Sequence, residues 1–131
     1  MSHITTVETK ITDLEALKLA ARELGASVSV GQTTWGYYAG QKGKCAHAIK
    51  MPGAGAYEVG VVQAPEGHFT LAYDFYGEGQ VYRQAFGNNC QRLVQTYAKH
   101  AAVREFRKKG FRVQVMAEQN GHYRLQVSRG A

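Results

Sequence analysis

Lys44–Phe75 reads KCAHAIKMPGAGAYEVGVVQAPEGHFTLAYDF, and its punctuation decides the fold. Pro52-Gly53-Ala54-Gly55 and Pro65-Glu66-Gly67 are turn clusters, because proline presets φ and glycine supplies the positive φ of tight turns. Around them lie three short runs, Lys44–Met51, Tyr57–Val62 and His68–Phe75, that alternate in polarity. In the third, Phe69, Leu71, Tyr73 and Phe75 fall on one face, and His68, Thr70, Ala72 and Asp74 on the other. Three alternating runs joined by turns predict an antiparallel meander with one buried face.

Upstream, His3–Ile11 is rich in β-branched residues and predicts a strand. Thr12-Asp13-Leu14-Glu15 has the form of a capping box, with Thr12 accepting an amide proton and Glu15 reaching back to the cap. Leu14, Leu17, Ala21 and Leu24 follow at helical spacing and Gly25 supplies a left-handed stop, so a helix is expected over 12–24. Ala26–Val30 then reads as a short strand, and Gly31–Gly43 as a loop carrying Trp35, Tyr37 and Tyr38.

Downstream, Gly77–Gly87 reads as a connection, and a longer helix runs from a cap at Asn88 or Asn89 to Gly110. Cys90, Leu93, Val94, Tyr97 and Ala101 lie within about 100° on its wheel, one apolar stripe for the sheet. Val103 and Phe106 fall off that stripe. Either the helix bends near Ala102, or its last turns bury a second face against the aromatic loop.

The C-terminal segment is a hairpin whose register can be deduced. A two-residue Asn120-Gly121 turn would set Val115 opposite Gln126 and Ala117 opposite Arg124, mixing apolar with polar. A three-residue loop Gln119-Asn120-Gly121 opposes Val113 with Val127, Val115 with Leu125 and Ala117 with Tyr123, and is preferred. The other face then carries Arg112, Gln114, Met116, Arg124, Gln126 and Ser128.

The order is β-α-β, three meander strands, α, β-β. It predicts an α+β two-layer sandwich in one domain over 1–131, with two helices on one face of a mostly antiparallel sheet, ferredoxin-like with additional meander strands. The edges of such an open sheet must be covered, which a homodimer through strand edges would do.

A hydrophobic fraction of 44% with 20% charged residues is globular composition. No apolar run approaches the roughly 20 residues of a membrane-spanning helix. The first residues lack a basic-then-apolar signal pattern, so a cytoplasmic protein is expected. Cys45 and Cys90 cannot build a bridge framework and read as free thiols. Cys45 with His47, and the five histidines generally, lack the spaced pairs of a zinc site, so no metal and no cofactor is expected.

The net charge of +6 is regional. Residues 1–82 hold 6 basic and 8 acidic side chains, net −2, and residues 83–131 hold 10 and 2, net +8. A positive face on a near-neutral body favours an anionic partner, though charged helix faces also serve solubility. The candidate binding residues are Arg92, Lys99, Arg104, Arg107, Lys108, Lys109, Arg112 and Arg124. Part of this cluster also complements the negative end of the helix dipole.

Gly36–Lys44 imitates a phosphate-binding P-loop but has Tyr38 where the first glycine belongs and Cys45 where Ser or Thr belongs. A weaker anion loop around Lys42 and Lys44 remains a candidate, beside Trp35, Tyr37 and Tyr38. Lys109-Gly110-Phe111 opens like an RNA-recognition motif but departs from it at Arg112 and Val113. Among nucleophile–base pairs, Cys90 and His100 are separated by about 15 Å along their helix. Cys45 and His47 share a strand face.

Met1-Ser2-His3, Thr9-Lys10-Ile11, Asp13-Leu14, Leu17 and Leu24-Gly25, then Tyr97-Ala98-x-His100, Gly110-Phe111 and Arg124-Leu125-x-Val127, run through nearly the whole chain. They resemble the uncharacterised family named after hypothetical chloroplast reading frame thirty-five, found in plastid, cyanobacterial, other bacterial and phage genomes. The resemblance departs most over Thr33–Glu78. It implies no activity or cofactor, and a plastid stroma location if the gene is plastid-borne. It marks Ser2, His3, Lys10, Tyr97 and His100 as shared residues, and suggests an accessory role beside an AAA-type ATPase.

The leading expectation is a non-catalytic binding or adaptor protein that engages an acidic protein partner through its second helix and C-terminal hairpin. The alternative is an RNA or single-stranded DNA binder using that surface with Trp35, Tyr37 and Tyr38. A third is a small enzyme around Cys45 and His47.

Overall fold

The computed structural model describes residues 4–117 and 123–129. Five strands form one antiparallel sheet: β1 (Thr5–Ile11), β2 (Ser27–Val30), β5 (His47–Lys50), β6 (Val59–Gln63) and β7 (Phe69–Tyr73), in the order β1-β7-β6-β5-β2. The expected meander is its centre, β5-β6-β7. Phe69, Leu71, Tyr73 and Phe75 all join the main core, as their alternation requires.

Helix α1 (Leu14–Glu23) links the two edge strands, so it passes over the whole sheet. It starts later than expected. Asp13, not Thr12, is the cap, its Oδ1 accepting from the Ala16 amide at 3.1 Å, while Glu15 pairs with Lys18 instead of reaching back. Gly25, at φ +88°, ends the helix as its sequence foretold.

Among the described residues there are three α-helices rather than two. The segment read as a connection contains α2 (Gln80–Phe86), whose Tyr82 and Phe86, one turn apart, are buried in the core. Glycines at both ends disguised it. The Tyr82 hydroxyl donates to the Tyr57 and Ile49 carbonyls at 2.8 and 3.3 Å, tying α2 to the sheet. Then α3 (Gln91–Lys108) follows, with Cys90 in the left-handed region as its cap residue rather than either asparagine. Cys90, Leu93 and Tyr97 are buried against the sheet, with Val94 and Ala101 packed at the edge of that core.

Two further hairpins stand apart from the main sheet. In the first, β3 (Thr34–Gly36) pairs with β4 (Lys42–Lys44) where a loop was expected. It lies on the sheet face opposite the helices. There Ala48, Gly60 and Ala72 are aligned across three adjacent strands, and the Trp35 indole packs on the patch with Tyr37, Cys45 and Val62 at its margin. Gly60 is required: a Cβ there would stand 2.5 Å from Trp35 Cδ1, and one on Gly43 would stand 2.5 Å from Trp35 Nε1. Glu58 latches the hairpin, with Oε1 accepting from the Gly36 amide at 2.8 Å and Oε2 from Gln32 Nε2 at 2.9 Å.

The second is β8 (Phe111–Ala117) with β9 (Tyr123–Arg129), paired Val113 to Val127, Val115 to Leu125 and Ala117 to Tyr123. This is the register deduced from polarity; the turn residues themselves lie outside the described residues. The hairpin forms its own two-stranded sheet and packs on α3, so it does not extend the main sheet. Phe106, off the apolar stripe, meets Phe111 edge-on at 6.1 Å between centroids, so the second face of α3 covers this hairpin and not the aromatic loop. The chain is thus an α+β sandwich. A ferredoxin-like order would interleave two β-α-β units, whereas here the meander fills the space between the two strands of a single one.

Candidate functional site

The expected basic surface divides in two. Lys99 and Arg104 are committed inside the molecule: Lys99 Nζ lies 2.7 and 2.9 Å from the Glu23 oxygens, and Arg104 Nε 2.8 Å from Asp13 Oδ2. Lys99 is only 10% exposed and sits over the Tyr123 ring at 4.4 Å. His100 Nε2 also meets Glu23 Oε1 at 2.9 Å, and the Tyr97 hydroxyl accepts from the Thr12 and Asp13 amides at 2.9 and 3.1 Å. Two of the shared residues marked by resemblance, Tyr97 and His100, therefore join α3 to the two ends of α1. A third, His3, lies outside the described residues.

Both acidic partners titrate low. Burial acts to raise Asp13, but hydrogen bonds from Arg104 and the Ala16 amide, with the charges of Arg104 and Lys108, outweigh it. Burial likewise acts to raise Glu23, and hydrogen bonds from Lys99 and His100, with their charges, overcome it. A depressed carboxyl contributes stability above its ordinary value and loses it as pH falls through the folded one. The melting temperature should therefore fall as pH drops below the ordinary values of 4.5 and 3.8. Asp13→Ala, which removes the cap and the Arg104 contact, should cost about 1 kcal/mol at neutral pH and flatten that acid decline; an unchanged acid slope would contradict the role given to Asp13.

The remaining cations cluster at one end. Arg107 and Lys108 in the last turn of α3, Lys109 just after it and Arg112 at the start of β8 lie near two shallow grooves, whereas Arg124, paired with Met116 toward the other end of the hairpin, lines neither. One, of about 260 Å³, is lined by Lys109, Gly110, Phe111 and Arg129; the other, of about 220 Å³, by Arg112, Val113, Gln114, Gln126 and Ser128. Lys109 makes an exposed pair with Glu105 at 3.5 Å, a contact of little energy. Arg92 is at the far end of α3, about 22 Å along the axis from Arg107, so it does not belong to this cluster. Arg129 does, and was missed because it lies across from Phe111, a pairing visible only once the register is extended to the strand end.

The aromatic loop residues are on the opposite side of the sheet. Trp35 is 2% exposed and Tyr37 is tilted against it at 4.8 Å, so neither offers an open face to a base. Tyr38, Lys42 and Lys44 are exposed. Gly43 makes room for the indole. A nucleic-acid surface combining the α3 cations with Trp35, Tyr37 and Tyr38 is thus divided by the sheet itself.

Cys45 and His47 do not form a nucleophile–base pair. Cys45 joins the Trp35 cluster and its thiol donates to the Gln32 carbonyl at 3.1 Å. His47, on the helix side of the sheet, faces Phe69 edge-on, and its Nδ1 accepts from the Gly31 amide at 2.9 Å. Burial, then the Glu58 charge, raises the Cys45 pKa, opposite to an activated thiolate. Burial pushes Cys90 up to about 12. Phe111, against Phe106, is a joint between helix and hairpin and not a stacking residue.

Asp74, outside every sequence motif, is 2% exposed; its Oδ1 accepts from the Tyr76 amide, and its Oδ2 has no hydrogen-bond partner among the described residues. Among those residues no group of three or more His, Cys, Asp or Glu is placed to hold a metal ion, and no helix is long and apolar enough to cross a membrane.

No curated protein and no solved structure matches the chain. The family model described as a protein of unknown function, DUF1257, matches residues 20–126, from the middle of α1 through most of β9, and the chain belongs to that family.

Proposed function

We propose that this protein is a non-catalytic binding module whose positive end, formed by the last turn of α3 and the β8–β9 hairpin, engages an acidic protein surface. The observation that carries this reading is the division of the cations. Lys99 and Arg104 are neutralised internally, whereas Arg107, Lys108 and Arg112 are exposed together beside grooves that reach both strands of the hairpin. A concentrated positive potential accelerates encounter with an anionic partner and orients it. Within the family, we place the chain with the group named after the chloroplast reading frame, whose accompanying AAA-type ATPase is the first partner to test.

Replacing Arg107, Lys108 and Arg112 together by glutamate should lower capture of the partner from nuclease-treated extract about tenfold, from three contacts worth roughly 0.5 kcal/mol each before repulsion. Reversing Lys42 and Lys44 on the other side should leave capture unchanged. Bound protein that survives the triple reversal overturns the reading. Bound material released by nuclease, with salt-steep affinity for single-stranded RNA, would support the nucleic-acid alternative instead.

A further inference from the structure

The Asp74 side chain is buried with Oδ1 bound to the Tyr76 amide at 3.1 Å and Oδ2 without a hydrogen-bond partner among the described residues. An ionised carboxylate is costly to hold away from water without a compensating charge. Its surroundings add negative character instead of removing it. The turn after β7 closes on Tyr57 through its glycines: a Cβ on Gly77 would stand 3.1 Å from the Tyr57 hydroxyl, and one on Gly79 would stand 3.0 Å from Tyr57 Cδ2 and strike the Asp74 carbonyl. Between them, the Glu78 carboxylate occupies the place that a Cβ on Gly55 would fill. Tyr57 is half-buried, whereas Glu78 and Tyr38 are exposed. Burial, then Asp74, Tyr38 and Glu78, raises the Tyr57 pKa, so two carboxylates and a second phenol act on one hydroxyl. Among the described residues neither Asp74 nor Glu78 has an ion pair. Arg83, the next cation along the chain, donates to the Phe75 carbonyl at 3.2 Å and lies over the Tyr76 ring at 5.5 Å.

We propose that Asp74, Glu78 and Tyr57 form a binding site for a primary ammonium group, with buried Asp74 as its floor and exposed Glu78 and Tyr38 at its solvent side. An ammonium offers three N–H donors from one charge, and Asp74 Oδ2, the Glu78 carboxylate and the Tyr57 hydroxyl are three acceptors that together carry the opposite charge. Tyrosine rings beside a cation add to its attraction. A guanidinium suits the site less, because its fork needs two free oxygens of one carboxylate and the Tyr76 amide already holds Oδ1 of Asp74. A divalent metal ion takes six or more oxygens, and no third carboxylate is placed here among the described residues. Oδ2 is covered, so entry requires the exposed Glu78 and Tyr38 side chains to rotate. The site is separate from the basic end of the molecule. Asp74 follows Tyr73, which pairs with the first residue of β1, whereas Lys108 acts on Asp13 beyond the last, about 20 Å away along that strand.

The test titrates the intact, isotope-labelled protein with butylammonium, butylguanidinium, potassium and calcium chlorides at constant ionic strength, and reads the amide resonances of Tyr76, Gly77, Glu78 and Gly79. Butylammonium should shift them saturably and bind about tenfold more tightly than butylguanidinium, with no saturable shift from potassium or calcium. Asp74→Asn should weaken butylammonium about tenfold. Without amine, that variant should melt at the same or a higher temperature, because the buried unpaired charge is gone. Glu78→Gln, on the surface, should weaken butylammonium about threefold with the fold unchanged. A peptide with a single lysine identifies the source of the ammonium: binding about tenfold tighter than butylammonium assigns the site to a protein lysine, equal binding assigns it to a free alkylamine, and both support it. No shift with butylammonium, an equal response to potassium, guanidinium binding as tight, a saturable calcium shift, or unchanged amine affinity in both variants each overturns it. A lower melting temperature for Asp74→Asn, together with full amine affinity in Glu78→Gln, gives both carboxylates a structural role and overturns it as well.

Discussion

Replacing Trp35 by alanine should lower the free energy of unfolding by about 3–5 kcal/mol, the usual effect of removing a large aromatic from a packed site. The indole is 2% exposed, and it closes the sheet face opposite the helices, over Ala48, Gly60 and Ala72. Those three side chains are too small to form an apolar layer by themselves. Without the indole the β3–β4 hairpin would depend on polar contacts such as the latch from Glu58 to Gly36 and Gln32. Because a domain of this size has roughly 5–15 kcal/mol to lose, the variant should unfold at much lower urea concentration. A loss below about 1 kcal/mol would show that Trp35 is a surface decoration and not a second core.

Gly60→Val should be destabilising by about 1–3 kcal/mol or more in the parent protein. The new Cβ would stand 2.5 Å from Trp35 Cδ1 and 2.7 Å from Nε1, so the indole must leave its seat or the strand must shift. The same change in a Trp35→Ala background should be neutral or stabilising by up to about 1 kcal/mol, because valine suits a central strand better than glycine and fills the space vacated. A reversal of sign is the signature of direct contact, and urea unfolding of the two single variants and the double variant measures it as a coupling energy. If the penalty persists undiminished without the tryptophan, the glycine is required by the backbone of β6 and not by the indole.

This second core was invisible to local pattern. In the sequence Gly60 interrupts an apolar run and Trp35 sits among glycines, tyrosines and glutamine, which reads as loop. Its logic appears only when registry aligns Ala48, Gly60 and Ala72 across strands separated by many residues. The helix α2 escaped for a related reason, since its seven residues are shorter than reliable helical periodicity and are bounded by glycines. Arg104 and Lys99 misled differently. A cation's position on a helical wheel predicts exposure, but the carboxylates that meet it, Asp13 and Glu23, come from another element.

What the sequence determined by itself was whatever alternation and turn chemistry control locally: the three meander strands, the stop of α1 at Gly25, the apolar stripe of α3 and the register of β8 with β9. In each, a slip by one residue would turn apolar side chains to water, so neighbouring residues carry enough information. Tertiary structure alone decided the rest: which strands lie at the edges, that β8–β9 leaves the main sheet, which side of it Trp35 covers, and which cations remain open to a partner. Those outcomes depend on side chains far apart in the chain competing for the same surface or the same charge, and no local spacing encodes the winner.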